Sequence, residues 1–227
     1  MTHSTLPSAI ELVTGHDPVG TVIWMHGLGA DGSDFVPVVK ELGLPGTLPL
    51  RFIFPHAPLR PVTINGGHVM RAWYDIFEIS SVERKVDEAG IRESQRALEA
   101  LIAREVSRGI VANRIVLAGF SQGGAIALQT GLRHPQALAG IMALSTYLPL
   151  ASSLAAEAST ANRTIPIFMA HGTQDNVIAI SIAEHSHHEL QRHGYPVEWQ
   201  TYPMAHSVSV EEIEHIGAWL RARFVAR

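Results

Sequence analysis

Arg114-Ile115-Val116-Leu117-Ala118, then Gly119-Phe120-Ser121-Gln122-Gly123-Gly124, then Ala125 through Leu132: this run decides the fold. It reads as an apolar strand, a sharp turn, and a small-residue helix that stops before Pro135. The turn spells G-x-S-x-G in the strand–turn–helix setting that gives the motif its meaning. A residue on so tight a turn takes strained dihedrals, and side chains beside it would collide with strand and helix. Gly119 and Gly123 remove those collisions and leave the Ser121 hydroxyl exposed at the sheet edge.

Short apolar runs recur on both sides of this segment. Thr21–Met25, Arg51–Phe54, Arg114–Ala118, Gly140–Leu144, Ile165–Ala170 and Val197–Tyr202 read as strands, with a further edge strand near Ile10–Val13. Longer amphipathic stretches lie between them. In one, Ile91, Leu98, Leu101 and Ile102 share a face, with Glu88 and Arg92 paired at i, i+4 on the charged side. Another spans Ala179–His193. The last, Val210 to Phe224, turns Ile213, Ile216, Gly217 and Leu220 inward. Alternation of this kind predicts a mostly parallel sheet with helices on both faces. No repeat or linker interrupts it, so residues 1–227 are read as one domain. The least regular stretch, Pro55 to Asp75, is rich in Pro and Gly and reads as a functional loop rather than a separate lid.

Composition narrows the partners. Of the 227 residues 46% are hydrophobic and 17% charged, which excludes disorder. Net charge is −4, lysine occurs only at Lys40 and Lys85, and the arginines are scattered, so there is no basic stripe for nucleic acid. The absence of cysteine excludes disulfides, thiol nucleophiles, Fe–S clusters and zinc–thiolate sites, and fits a cytoplasmic protein. Met1–Gly15 lacks the cationic head and apolar stretch of a signal peptide. No Asp, Glu, Lys or Arg occurs between Arg133 and Glu157, but Pro135, Gln136, Pro149 and several hydroxyl residues break that segment. It reads as a buried strand with a loop, so no stable membrane insertion is expected. A homodimer is left open.

A serine hydroxyl needs a base, and the base needs an orienting acid. Behind a nucleophile on such a turn, acid and histidine follow in that order. Asp175 is the only aspartate after Ser121 and lies just past a strand, in His171-Gly172-Thr173-Gln174-Asp175. Glu184, Glu189, Glu211, Glu212 and Glu214 fall on helical stretches, and Glu198 falls inside a strand. Of the later histidines, His185, His187, His188 and His193 belong to a helix or its end and His215 is mid-helix. His206, in Pro203-Met204-Ala205-His206-Ser207, follows a strand on a short loop and is the expected base. Two backbone donors for an oxyanion are expected as well: the amide of Gln122 and, from His26-Gly27-Leu28-Gly29, that of Leu28.

Two other patterns invite different chemistry. Gly27-Leu28-Gly29-Ala30-Asp31-Gly32 spells G-x-G-x-x-G, but a dinucleotide site wants an acid at the end of the next strand. That strand runs instead into Pro55-His56-Ala57-Pro58. His185-Ser186-His187-His188 suggests a metal cluster, yet no thiolate exists and Glu184 and Glu189 fit a solvated surface. No metal and no organic cofactor are expected.

With these residues in place, the chain resembles the phospholipase/carboxylesterase family of α/β-hydrolases, and is similar to bacterial carboxylesterases and acyl-protein thioesterases. The resemblance runs from about Val22 to Phe224. It rests on His26–Asp31, Pro61–Gly67, Trp73-Tyr74-Asp75, Gly119–Gly124, His171-Gly172 with Asp175, and Pro203–His206, in that order. It implies a seven-stranded α/β-hydrolase fold without a large cap. It also implies hydrolysis of short- to medium-chain carboxylic esters or thioesters, with acyl-protein thioesterase or lysophospholipase/lipase activity as the alternative. A non-catalytic ligand-binding α/β-hydrolase relative is a rival that the intact triad and oxyanion loops disfavour. Ser121, Asp175 and His206 match the family's triad, and Leu28 and Gln122 its oxyanion donors. Trp73 matches the block beside the acyl pocket, for which Val177 and Ile178 are the expected opposite wall. Two departures stand out: Asn176 follows the aspartate where many relatives carry proline, and Ala205 stands where glycine is common.

Overall fold

The computed structural model describes residues 6–78 and 85–224. The start of the Met1–Gly15 stretch and the end of the 1–227 span lie outside them. Nine strands form: β1 (Ala9–Val13), β2 (Gly20–Met25), β3 (Leu50–Pro55), β4 (Leu59–Val62), β5 (His68–Arg71), β6 (Ile115–Phe120), β7 (Gly140–Leu144), β8 (Ile167–Gly172) and β9 (Val197–Tyr202). The helices are α1 (Glu88–Ser107), α2 (Gln122–Arg133), α3 (Ala151–Glu157), α4 (Ile180–Arg192) and α5 (Val210–Phe224). Seven strands make the main sheet in the order β1-β3-β2-β6-β7-β8-β9. β1 runs antiparallel to β3, and every other neighbour is parallel.

Strands covered on both faces are mostly apolar, and β2, β7 and β8 are buried throughout, Thr21 and His171 being their polar exceptions. The pleat sends alternate residues to opposite cores. Ile23 and Met25 join Ile91, Leu98, Leu101 and Ile102 of α1 and the apolar side of α2, whereas Val22 and Trp24 join Ile216, Leu220 and Phe224 of α5. The expected inward faces of α1 and α5 are therefore present, with Ile213 only partly buried. The first turn of α5 also buries Glu212 completely.

Several boundaries shift for local reasons. The strand expected over Ile165–Ala170 begins at Ile167 and runs to Gly172, because Pro166 has no N–H for the ladder. His171 consequently sits on the strand itself. The helix expected from Ala125 begins at Gln122, directly after β6, so two glycines of low helix propensity occupy its first turn. Pro55–Asp75 is more ordered than expected. It contains the antiparallel hairpin β4–β5, joined by a 3-10 turn at Thr63–Asn65, with Gly66 (φ 67°) and Gly67 (φ 79°) in the left-handed region that favours glycine. Asp75 anchors its base, accepting from Thr63 N (2.7 Å) and Thr63 Oγ1 (2.6 Å). No described helix is long and apolar enough to cross a membrane.

Candidate active site

The central strands of a parallel sheet deliver their loops to one edge, and three such loops meet here. β6 ends directly in Ser121, whose φ of 53° and ψ of −120° lie where residues with a Cβ are rarely found. The backbone is pinned there from several sides. Ser121 N donates to Leu144 O (2.8 Å), and Ser121 O accepts from Thr146 Oγ1 (2.6 Å) and from Ala125 N (3.2 Å). Although Ser121 occupies the N-cap position of α2, its side chain makes no capping bond.

The glycines do what the turn requires. A Cβ on Gly119 would strike the Gly123 backbone, and one on Gly123 would lie 2.5 Å from Met25 O and 2.6 Å from His26 O. The end of β2 thus packs directly on the first turn of α2, bringing the loop that starts at His26 alongside Ser121. Among the described residues, neither the Leu28 nor the Gln122 backbone N–H donates a hydrogen bond. His26 fixes this loop: its Nδ1 donates to Gly27 O (2.7 Å) and its Nε2 accepts from Ala57 N (3.0 Å). Burial holds the His26 pKa below the ordinary histidine value, as that fixed neutral tautomer requires.

The acid arrives from β8. Asp175 Oδ1 accepts from Val177 N (2.8 Å) and Ile178 N (2.9 Å), while Oδ2 lies 2.6 Å from His206 Nδ1. His206 comes from the turn after β9, its ring tilted against Phe120 at 4.8 Å between centroids. The Asp175 side chain is fully buried and that of His206 is 15% exposed. A cavity of about 230 Å³ opens between these loops, and Ser121, Gln122, Leu28, His206, Val177 and Ile178 all line it. Of the residues expected at the site, then, all but Asp175 and Trp73 line the same space, and Asp175 reaches it through His206.

The phospholipase/carboxylesterase family model matches residues 10–223. The chain belongs to that family. Acyl-protein thioesterase 1 of Neurospora crassa is 41% identical over 225 residues, covering 96% of this chain and 91% of that protein. Among solved structures, Arabidopsis thaliana SOBER1 superposes with a TM-score of 0.85 at 31% identity, covering 90% of this chain and 98% of the other. Zea mays acyl-protein thioesterase 2 gives 0.82 at 27% identity, with 96% and 99% covered. The protein is a carboxylic ester hydrolase with an α/β-hydrolase fold.

Trp73, expected beside the acyl pocket, lies elsewhere. It is 1% exposed, its Nε1 donates to His26 O (2.9 Å), and its ring packs on the His26 ring at 5.4 Å. It therefore stands behind the Leu28 loop rather than in the cavity, where Tyr74 and Ile76 form the wall instead. The cause is the Gln122 side chain, which clips this segment in place. Its Oε1 accepts from Trp73 N and its Nε2 donates to Tyr74 O, both at 2.7 Å. Tyr147, from the loop after β7, closes the cavity wall with its hydroxyl 2.6 Å from that of Tyr74. Sequence reasoning missed Tyr74, Ile76, Tyr147 and Phe120. Phe120 carried a signal as the residue before the nucleophile, and Tyr74 as the neighbour of Trp73 in a motif block.

The two competing patterns are accounted for. Gly32 of the G-x-G-x-x-G run packs against the Phe54 carbonyl, and its N–H donates to His56 Nδ1 (3.0 Å). On α4, His187 stacks on Trp199 (5.1 Å) while His185 faces Glu189 at 4.0 Å, and no three His, Asp or Glu converge as metal ligands among the described residues.

Proposed function

We propose that the protein hydrolyses short- to medium-chain carboxylic esters, thioesters among them, through an acyl-enzyme on Ser121. The observation that carries this reading is the 2.6 Å contact between Asp175 and His206, whose ring lines the same cavity as Ser121. His206 Nε2 takes the Ser121 proton as Oγ attacks the carbonyl carbon. Asp175 holds the imidazole with Nδ1 protonated and stabilises the imidazolium that forms. The Leu28 and Gln122 amides supply donors to the developing oxyanion without reorganising. The alcohol or thiol leaves with the proton from His206, which then activates water to release the acid.

A cavity of about 230 Å³ is below the range of about 300–1,000 Å³ for drug-sized ligands, which favours short and medium acyl chains. Val177 and Ile178 form one apolar wall and Tyr74, Ile76 and Tyr147 the other. The Neurospora crassa relative's name makes acyl-protein thioesterase activity the second reading. A cysteine-free chain suits a reducing cytoplasm. Rates over an acyl series from acetyl to dodecanoyl, in matched ester and thioester form, test the proposal. A maximum at short or medium length, absent in Ser121→Ala, is expected. Equal activity of Ser121→Ala, or no turnover of any member, would refute it.

A further inference from the structure

A second histidine touches the buried aspartate. His171, the penultimate residue of β8, is fully buried. Its Nε2 lies 2.8 Å from Ile178 O and 3.3 Å from Asp175 Oδ2. A carbonyl oxygen can only accept, so Nε2 carries the proton, which is shared between that carbonyl and the carboxylate. Nδ1 is then a bare, buried lone pair, and no partner meets it among the described residues. Burial disfavours the charged form, pulling the His171 pKa below the ordinary histidine value; Asp175 opposes that pull and His206 adds to it. Trp199 of β9 lies over the ring at 6.5 Å and restrains its orientation.

The contacts close a ring. Ile178 gives its N–H to Asp175 Oδ1 and takes the His171 proton on its carbonyl, while His171 reaches Asp175 Oδ2. We propose that His171 is a positioning residue: a neutral donor that fixes the Asp175 carboxylate toward His206 and ties it to Ile178 in the cavity wall. Neutrality matters to this role. A charged His171 would compete with His206 for the same oxygen, whereas a neutral N–H orients that oxygen and leaves its charge for His206. The inference rests on the assignment of Asp175 to the triad.

Nitrogen NMR of the wild-type protein labelled at histidine tests it first, with no need of activity. A neutral His171 protonated at Nε2 is expected; protonation at Nδ1 overturns the proposal. The far-downfield proton NMR signal of the His206–Asp175 hydrogen bond then reads the consequence. In His171→Leu, which keeps bulk but loses the donor, that signal should broaden or move upfield. kcat should fall about 10- to 100-fold with KM little changed, as expected for a small misplacement of a catalytic group. His171→Gln, whose amide reaches the Nε2 position, should restore the signal and most of the rate. A folded His171→Leu with wild-type signal and kcat overturns the proposal, as does a His171→Gln no better than His171→Leu. If Ser121→Ala kept its activity while these signals behaved as expected, the mechanism would fail and the positioning role would stand.

Discussion

Two turns of this molecule each bury a carboxyl group completely, and they treat it in opposite ways. After β8, Asp175 meets two backbone amides, His206 and His171. In the first turn of α5, Glu212 has no well-formed hydrogen bond to its carboxyl among the described residues, and burial, only partly opposed by the Ser209 backbone, pushes its pKa up to about 8. The energetic rule is common to both: a buried charge is kept only where donors replace water. At Asp175 the sequence supplies a turn whose amides converge on one oxygen and leave the other for the histidines. At Glu212 it supplies an apolar helix face, and the proton stays on.

The largest test of that contrast exchanges carboxylate for amide at each place. Asp175→Asn should lower kcat about 10⁴-fold, because an amide no longer holds His206 in the tautomer with Nδ1 protonated. Glu212→Gln should leave kcat within about two-fold, since it does not line the cavity. Steady-state kinetics on one soluble ester compares the two; a severe Glu212→Gln or a mild Asp175→Asn would break the contrast.

Trp73 extends the comparison to a buried donor that is satisfied. Its indole supports the His26 carbonyl, so Trp73→Ala should cost about 3–5 kcal/mol of stability. The order of acyl preference should stay unchanged, because Tyr74 and Ile76 form the wall. Urea denaturation and the acyl series together check this, and a shifted acyl optimum would move Trp73 into the pocket.

The pH dependence of stability sharpens the Glu212 half. Its folded pKa of about 8 exceeds the ordinary 4.5, so the native state binds more protons than the unfolded chain between those values. Stability from this group is therefore full below about 4.5, falls as pH rises toward about 8, and then levels off, a loss on the order of 5 kcal/mol. Glu212→Gln should remove that slope; denaturation at about pH 5 and about pH 9 measures it. A wild-type protein with no such slope would contradict the buried neutral acid.

Glu157 should show the smallest effect, of opposite sign. Hydrogen bonds from Arg92, Arg133 and Ser153 outweigh its partial burial and lower its pKa to about 2. Its contribution is present above 4.5 and is lost as pH falls through about 2. With its side chain 30% exposed, solvent screening reduces that contribution to about 1 kcal/mol. Acid titration of Glu157→Gln against wild type should show this difference at pH 7 and none below about pH 2.

What could be read from the chain follows the same division between local and distant causes. Ser121's turn was legible because its glycines answer a steric demand made within five residues. Asp175 and His206 were legible because each follows a strand whose edge they must share with Ser121. Trp73 was misplaced because its position depends on the Gln122 side chain, 49 residues away, and no periodicity encodes such a clip. Tyr147 was passed over, and His171 stood beside Asp175 without a role, for a related reason. An aromatic in an apolar loop and a histidine at a strand end look like filler until the fold brings partners to them. The hairpin β4–β5 was hidden because Pro61 and the paired glycines read as breakers, whereas they occupy an edge strand and a left-handed turn.

We propose Ser121, activated by a His206 that Asp175 holds, as the nucleophile. Treating the protein with a fluorophosphonate and mapping the adduct by peptide mass spectrometry tests this most directly. One phosphonyl group on the peptide containing Ser121 is expected, absent in Ser121→Ala and formed far more slowly in His206→Ala and Asp175→Asn. Labelling elsewhere, or at an undiminished rate in His206→Ala, would contradict it.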